Sequence, residues 1–360
     1  MSYLEDVAFI KHATRQLLRY QKKHLQHQAH AVAKINKICE SQRQSEEEKQ
    51  LKEELVHVFE KDLKAFFGQT AKVTMYGGSV NGFGSKNSDI DACIEINIKL
   101  NPETTEEREA NTQLLELVQE RINKKKDSMI TKYKNLRLIK AKVPIICTEM
   151  YHPMARQYFE VDLSCANQLA KMNTRLLQEY SRLDDRVKNL FFLVKKWLKK
   201  NHLYGSVGCM NSYSIINLVI YYLQRGVHPQ ILPVMHNLVP DLENKLKNKD
   251  NICCKWTPQN TEMTTLLLFI GFVTFYNRFR FRDYEIDIRE ASLKPRQTIK
   301  HSIAINCPVN GMVPSRGFFA VNHYLFKHLL RETHEVFWYD IPDATHGEKG
   351  RILHRFIGNL

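Results

Sequence analysis

The sequence predicts an α+β protein of two lobes, one built on a mixed β-sheet and one built mostly of helices. Two observations predict this class. Apolar residues recur at helical spacing in residues 1–68 and again in residues 167–360. Between them, residues 69–166 carry short apolar runs rich in Val, Ile and Thr, as strands do. We therefore expect a sheet domain at 69–166 and a helical domain to which both ends of the chain contribute.

The first clear helix is predicted between Ser45 and Gly68. Ser45 is a favourable N-cap residue, and the three glutamates that follow it complement the helix dipole. Apolar residues then recur at helical spacing, namely Leu51, Leu55, Val58, Phe59, Leu63 and Phe66. Because this helix precedes the strand-rich part of the chain, we assign it to the helical lobe.

The sheet is expected to form from runs of β-branched and aromatic residues. The candidate strands are Val73–Tyr76, Ile90–Ile98, Leu136–Val143, Ile145–Thr148 and Tyr158–Leu163. One amphipathic helix, starting near Pro102, is expected between the second candidate and the third.

From about Gln168 onward the pattern is helical again, with a last long helix at Arg316–Glu335. The longest apolar run of the chain, Leu266–Phe275, is too short to span a bilayer. It predicts a buried helix, and we expect no membrane partner.

The balance of charged residues indicates a polyanionic partner. Lys and Arg number 53 against 39 Asp and Glu, a formal net charge of +14, and nucleic acid is the commonest partner of such a chain. A lysine-rich surface that only serves solubility is the alternative. The eight cysteines show neither C-x-x-C nor zinc-ligand spacing, which favours reduced thiols inside the cell. We expect the cytoplasm, with the nucleus as the alternative.

The predicted strand Asp89–Ile96 carries two acidic residues on one side. Side chains alternate along a strand, so Asp89 and Asp91 point the same way, with Cα atoms about 6.6 Å apart. Two carboxylates that close repel each other, and a divalent cation between them relieves the repulsion. Asp162 becomes a third carboxylate if its strand pairs beside the first. A sheet with one solvated face, on which acids are unremarkable, is the alternative.

A glycine-rich turn, GGSVNGFG from Gly77 to Gly84, precedes this strand. A dinucleotide-binding loop would open onto a long helix and reach an acidic residue about 20 residues later, whereas here an acidic strand follows almost at once. Gly77, Gly78 and Ser79 instead suit backbone N–H groups and a hydroxyl turned toward a phosphate at a short helix start.

These motifs resemble those of the DNA polymerase β-like nucleotidyltransferases, in which Gly-Ser is followed by D-x-D and a distant third Asp. Here they are GGSVNGFGSKNSDID and FEVDLS. Within that superfamily the chain resembles the template-independent RNA terminal uridylyltransferases and cytoplasmic poly(A) polymerases. The segments AKVPII, VDLSCANQLAKMNTRLL and LVKKWLKKNHLYGSVGCMNSYSIINLVIYYLQ extend the resemblance over about residues 70–225. It implies a palm-like catalytic domain and a helical central domain.

The resemblance also implies a mechanism. Asp89 and Asp91 would bind two Mg²⁺ (or Mn²⁺) ions, about 3.5–4 Å apart, and Asp162 would complete the site. The RNA 3′-hydroxyl would attack the α-phosphate of a nucleoside triphosphate, and pyrophosphate would leave. Gly78 and Ser79 would hold the triphosphate through N–H and Oγ.

Two lysines of a later helix are implied to bind the same triphosphate. Lys195 and Lys199 stand four residues apart, so both ammonium groups can reach one target. The resemblance makes that target the β- and γ-phosphates. Without it, these would be solvated lysines of a basic helix.

The resemblance implies contacts to the sugar and the base as well. Asn167 would contact the ribose 2′-hydroxyl, with Ala170 and Asn173 nearby. Tyr213 would stack on the incoming base, and Ser212 would touch the base edge or the phosphates.

Candidate RNA contacts are basic residues of two segments. In RFRFRD, cations alternate with aromatic residues, so the arginines share one face if the segment is extended. A solvated edge is equally compatible with this pattern. The candidates are Arg278, Arg280, Arg282, Lys132, Lys134, Arg137 and Lys140.

The base-reading region departs from the family pattern. Relatives carry an acidic EDPF-like motif, whereas here Asn306 and Cys307 replace the acids in INCPVNGMVPSR. Uridylyltransferases of the group often have a histidine directly after the motif, but here His301 and His323 only flank the region. The choice between UTP and ATP stays open at this point. We favour UTP because the compact chain and its NSYS segment are more similar to the uridylyltransferases.

The sequence thus predicts a monomeric RNA 3′-terminal uridylyltransferase that acts on single-stranded RNA with a recruiting protein partner. A cytoplasmic poly(A) polymerase that uses ATP is the first alternative, and an inactive RNA-binding scaffold of the same fold is the second. The complete set Asp89, Asp91 and Asp162 disfavours the scaffold. A nucleotide second-messenger synthetase shares the three aspartates, but a sensing face for double-stranded nucleic acid is not identifiable in the sequence.

Overall fold

The computed structural model describes residues 3–25, 29–96, 107–124, 133–343, 345–358 and 360. The chain divides into two compact units. The sheet unit is Arg43–Gln178, and the helical unit is Met1–Gln42 together with Glu179–Leu360. A mixed β-sheet with many helices confirms the predicted α+β class. The start of the helix that was expected near Pro102 lies outside the described residues.

Five strands form the sheet of the sheet unit in the order β1-β2-β5-β4-β3. They are β1 (Lys72–Tyr76), β2 (Ile90–Glu95), β3 (Tyr133–Ile139), β4 (Ile145–His152) and β5 (Gln157–Cys165). β2 and β5 run parallel, and the other neighbours are antiparallel. The third strand was predicted at Leu136–Val143, and this is corrected: β3 begins at Tyr133 and ends at Ile139. Pro144, which has no N–H for a ladder, lies in the turn that follows.

The α-helices of the described residues range from 3 to 22 residues in length. The α-helices are α1 (Tyr3–Tyr20), α2 (Ala29–Gln42), α3 (Glu46–Phe67), α4 (Gly78–Asn81), α5 (Glu107–Lys124), α6 (Gln168–Leu183), α7 (Asp185–Lys200), α8 (Ser212–Arg225), α9 (Met235–Leu238), α10 (Leu242–Asn248), α11 (Thr265–Arg278), α12 (Ala320–Glu335), α13 (Ile341–Asp343) and α14 (His346–Gly358). Gln21–Leu25 and Val336–Asp340 are π-helical, and Pro314–Gly317 is a 3₁₀ turn. A two-stranded ribbon, β6 (Tyr284–Glu285) with β7 (Lys294–Pro295), belongs to the helical unit.

Helix α3 packs against the sheet, which corrects its assignment to the helical lobe. Its apolar stripe, which includes Leu55, Phe59 and Leu63, joins one core with strand residues such as Ile90 and Val161. Burying that stripe on the apolar face of the sheet removes it from water, and this outweighs the order of the elements along the chain. The sheet unit therefore begins at Arg43 rather than at residue 69, and it extends to Gln178 rather than to 166.

The core of the helical unit is formed by α7, α8 and α11. Almost every residue of α8 and most residues of α11 are buried, so the apolar run Leu266–Phe275 is a core helix, as predicted. Within the residues that the structure describes, no helix is both long and apolar enough to span a bilayer.

The last long helix begins later than the predicted Arg316. Residues Pro314–Gly317 turn as a 3₁₀ segment, and α12 begins at Ala320. The amide of Phe319 donates to the carbonyl of Gly208 at 3.0 Å, which holds the chain in an extended conformation before the helix can start.

Candidate active site

One row of side chains crosses all five strands of the sheet at the level of Asp91. Tyr76 of β1 is paired with Asp91, and Asp91 is paired with Asp162 of the parallel strand β5. The row continues through Cys147 of β4 to Arg137 of β3. Because paired residues direct their side chains to one face of a sheet, two carboxylates stand side by side with a cation at the end of the row. β5 thus lies beside β2, as the third-carboxylate prediction required.

Electrostatic repulsion among the three aspartates affects the pKa of Asp91. Burial raises the pKa of Asp91 to about 7, with the charges of Asp162 and Asp89 adding to the rise and the ammonium of Lys52 opposing it. Asp89 is exposed and stands just before β2. The three side chains therefore form one region of negative potential.

The chemistry of this donor set fits a divalent cation. Carboxylate oxygens are the ligands that hard cations such as Mg²⁺ prefer, and the repulsion at Asp91 is what such a cation relieves. Among the described residues, no group of three His, Cys, Asp or Glu side chains is arranged to hold an ion. The carboxylate donors and the register of Asp91 with Asp162 support a cation site at this position.

The glycine turn lies directly against Asp91. Gly77 has φ 71° and ψ −151°, a conformation that is almost confined to glycine. A Cβ atom at this position would lie 2.3 Å from Oδ2 of Asp91. Gly78 starts the short helix α4, and Ser79 is buried in it. The Ser79 hydroxyl donates to the carbonyl of Asp89 at 3.2 Å, so it joins the turn to the D-x-D strand.

Helix α6 anchors the glycine turn from its N-terminal half. The Thr174 hydroxyl accepts a hydrogen bond from the Gly77 amide at 2.8 Å. Asn167 precedes α6, and its Oδ1 accepts from the Ala170 amide at 3.2 Å. Asn167 and Ala170 therefore sit at the helix start, and Asn173 follows one turn later.

The basic candidates of the sheet unit differ in their surroundings. Arg137 is exposed and belongs to the row of Asp91. The ammonium of Lys134 lies 3.8 Å from the centroid of the Tyr158 ring. Lys140 forms an ion pair with Glu116 of α5 at 2.7 Å. Lys132 lies outside the described residues.

In the helical unit, a tyrosine joins two of the predicted nucleotide-binding residues. The ammonium of Lys195 lies 4.9 Å from the centroid of the Tyr204 ring. The Tyr204 hydroxyl is 3.0 Å from Oγ of Ser212, the first residue of α8. Lys199 is exposed on the same helix as Lys195. The structure thus brings Lys195 and Ser212 together.

Tyr213 contacts the segment that departs from the family pattern. Its hydroxyl donates to Sγ of Cys307 at 3.3 Å. Asn306 donates from Nδ2 to Glu285 at 2.8 Å. The Cys307 amide bonds to the carbonyl of Met312 at 2.8 Å, so the segment is a closed turn beside Tyr213.

The arginines of RFRFRD alternate with buried rings. Arg278, Arg280 and Arg282 are exposed, whereas Phe279 and Phe281 are buried. Arg280 pairs with Asp283, and the Arg278 guanidinium lies 4.3 Å from the centroid of the Phe9 ring.

The two histidines that flank the segment INCPVNGMVPSR lie near two of these arginines. His301 and His323 line a cavity of 840 Å³ together with Arg280 and Arg282, while Asn306 and Cys307 line another cavity. Burial lowers the pKa of His323 to about 4, and nearby cations add to the effect. Neither histidine lines the cavity that Asn306 and Cys307 line.

Sequence reasoning missed several residues around the carboxylates. Tyr76 accompanies Asp91 and shares a hydrogen bond of 3.2 Å with Ser164. Its place at the end of a predicted strand, directly before the glycine turn, is a signal that could have found it. Cys147 and Thr174 carried no such signal, because only the strand register and the packing of α6 bring them to the site.

Alkylation of Cys147 tests whether this thiol lies beside the carboxylate of Asp162. Burial raises the pKa of this thiol to about 12, and its hydrogen bond and charge interaction with Asp162 add to the rise. We expect iodoacetamide to label Cys147 much more slowly than the exposed Cys253, and Asp162→Asn to speed the labelling about tenfold for each pKa unit recovered. Peptide mass spectrometry measures both rates. Equal labelling of Cys147 in the wild type and the variant would contradict this arrangement.

A glycine-serine turn, a D-x-D strand and a third aspartate in register with it lie together in the sheet unit, which is the arrangement that the resemblance to the DNA polymerase β-like nucleotidyltransferases implies. Residues 32–182 match the family model of the mitochondrial-like poly(A) RNA polymerase central palm domain. This match, together with the relatives below, confirms the resemblance of its motifs to the template-independent RNA terminal nucleotidyltransferases.

Individual relatives agree with this family. Over 297 residues, 75% of the chain, it is 32% identical to human terminal uridylyltransferase 7, of which it covers 18%. Over 247 residues, 66% of the chain, it is 29% identical to rat poly(A) RNA polymerase GLD2, of which it covers 49%. The chain spans less than half the length of these relatives.

Comparison with solved structures supports the fold. The crystal structure of mtPAP in complex with ATPγS superposes with a TM-score of 0.75 at 19% identity, over 90% of this chain and 72% of that chain.

Proposed function

We propose that this chain adds ribonucleotides, with UTP as the preferred donor, to the 3′ end of single-stranded RNA without a template. The register of Asp91 with Asp162 carries the proposal, because it places the third carboxylate beside the D-x-D strand that follows the glycine turn. Acidic residues that are merely solvated on a sheet face would not be expected to share one row across two parallel strands.

The side chains have separate tasks in this reaction. Asp89, Asp91 and Asp162 would hold Mg²⁺ or Mn²⁺ ions, which would supply charge neutralisation at the phosphates and activation of the attacking hydroxyl. The amide groups at Gly78 and Ser79 would orient the triphosphate, as a helix start does for anions.

Further residues would contact the nucleotide. Lys195 and Lys199 would bind the terminal phosphates, and the ring of Tyr213 would stack on the base. The hydrogen bond from Tyr213 to Cys307 would hold that ring in one orientation. Asn167, at the start of α6, would bind the ribose 2′-hydroxyl.

The preference for UTP rests on the relatives. The alignment to terminal uridylyltransferase 7 is longer and more identical than the alignment to GLD2. The alternative donor is ATP, which the poly(A) polymerases among the relatives suggest. We further propose a magnesium-dependent monomer of the cytoplasm that a protein partner directs to its RNA.

A primer-extension assay tests the proposal. The protein is incubated with a 5′-labelled single-stranded RNA, Mg²⁺ and each of the four nucleoside triphosphates separately. Extension with UTP at a higher kcat/KM than with ATP is the expected result. A higher kcat/KM with ATP would make the chain a poly(A) polymerase, and RNA binding without any extension would favour the scaffold.

Lys195→Ala is expected to raise the KM for the triphosphate about tenfold and to change kcat less. The reason is that one ammonium contact to a phosphate contributes on the order of 1–3 kcal/mol. Steady-state extension kinetics measure the effect, with the exposed Lys200→Ala as the matched control. Unchanged KM and kcat in Lys195→Ala would make Lys195 an ordinary surface lysine.

A further inference from the structure

Lys52 is a fully buried lysine of helix α3, with no exposed surface. Its ammonium lies 2.9 Å from Glu48 of the same helix and 2.8 Å from Oε1 of Gln44. It also lies 3.2 Å from the Ser88 hydroxyl and 3.5 Å from the Ser79 hydroxyl. One charged group thus connects α3 and its leading loop with α4 and with the turn before β2.

These contacts lie at both ends of the loop that joins the two signature motifs. Ser79 follows Gly78 in the glycine turn, and Ser88 directly precedes Asp89. The loop is further tied to Gln44, whose Nε2 donates to the Ser79 carbonyl at 3.2 Å. Lys52 therefore acts at the two points where movement of the loop would displace the phosphate-binding amides and the first aspartate.

Only an ammonium group suits this position. Burying a charge is costly unless it is paired and hydrogen-bonded, and Glu48 supplies the opposite charge. An apolar side chain of similar length would fill the space but could not donate to two serine hydroxyls, whereas an ammonium has three donors. The burial of Lys52 also excludes direct contact with a substrate.

We propose that Lys52 is a positioning residue that holds the glycine-serine helix and the turn before Asp89 in the arrangement that binds the triphosphate. This inference rests on the proposed nucleotidyl transfer, since it assigns a task within that reaction. A residue that only stabilises the fold would change the amount of active protein. A positioning residue changes the affinity for the triphosphate.

The test uses a variant in which the charge pair is removed as a whole. Lys52→Met together with Glu48→Gln leaves no unpaired charge, and glutamine can still accept from the Asn87 amide as Glu48 does at 3.0 Å. We expect the KM for UTP and the Kd for a non-hydrolysable UTP analogue, measured by calorimetry, to rise at least tenfold. Ser88→Ala, which keeps the charge pair, is expected to raise both constants by a smaller factor.

The matched control is Lys49→Met on the same helix, whose ammonium is partly exposed and lies 3.8 Å from Glu46. It should leave both constants within twofold of the wild type. Unchanged KM and Kd in the double variant and in Ser88→Ala, with any loss of kcat equal to the loss of folded protein, would overturn the proposal. A wild type that binds the analogue but extends no RNA would overturn the proposed function, and weaker binding by the double variant would still support Lys52.

Discussion

Replacement of Asp91 by asparagine or alanine is expected to abolish RNA extension, with a loss of at least about 10³-fold in kcat. Asp91 lies between Tyr76 and Asp162 in the row, and the charges of Asp162 and Asp89 add to the rise of its pKa. Tyr76, its neighbour on β1, carries a hydroxyl that burial keeps neutral, so it does not replace the lost carboxylate. Gel-based extension assays over long incubation times measure the loss.

The asparagine variant distinguishes a loss of catalysis from a loss of folding. Burial and the two neighbouring charges disfavour the ionised form of Asp91, so a neutral side chain of the same shape should leave the melting temperature unchanged or higher. Binding of single-stranded RNA should persist. The exposed Glu53→Gln of α3 serves as the matched control and should extend RNA normally. Extension by Asp91→Asn at a wild-type rate would refute the role of the carboxylate row.

Gly77→Ala is expected to lower extension at least about 100-fold. The added methyl group would lie 2.3 Å from Oδ2 of Asp91, a distance that non-bonded atoms do not adopt, so the carboxylate must move. The backbone conformation at φ 71° also disfavours alanine, at a cost on the order of 1–3 kcal/mol of folding free energy. Extension kinetics and thermal unfolding are measured on the same preparation.

Gly68→Ala is the matched control for this substitution. Gly68 also has a positive φ, of 90°, but a Cβ atom there would have no heavy atom within 4 Å. Gly68→Ala should lose stability because alanine is also disfavoured in this backbone conformation, and its kcat should stay unchanged. An equal loss of kcat in both variants would show that strain alone, and not the displacement of Asp91, explains the effect.

The paired aspartates illustrate what the sequence could predict. Strand alternation is a local property, so it was enough to predict that Asp89 and Asp91 point the same way. Their register with Asp162 depends on which strands are neighbours, and β2 and β5 are joined by a long connection that includes α5, β3 and β4. From the sequence, Asp162 could therefore be predicted as the third carboxylate only on the condition that its strand pairs with β2.

Helix α3 and Lys52 illustrate what could not be predicted. The helix, its cap at Ser45 and its apolar stripe follow from spacing, and the structure contains all three. The surface against which the stripe packs is a tertiary property, and this is why the helix was assigned to the wrong lobe. In the sequence Lys52 stands among charged residues of a helix surface, and the spacing gave no sign that Ser79 and Ser88, from two distant turns, would be among its partners.

Extension of a defined RNA end tests the central claim most directly. Wild-type protein and Asp91→Asn are each incubated with Mg²⁺, UTP and a labelled single-stranded RNA that ends in either a 3′-hydroxyl or a 3′-deoxy residue. We expect the wild type to lengthen only the RNA with the 3′-hydroxyl, and the variant to lengthen neither. Absence of extension by the wild type with UTP and with ATP, or equal extension by Asp91→Asn, would contradict the assignment of this chain as an RNA 3′-terminal nucleotidyltransferase.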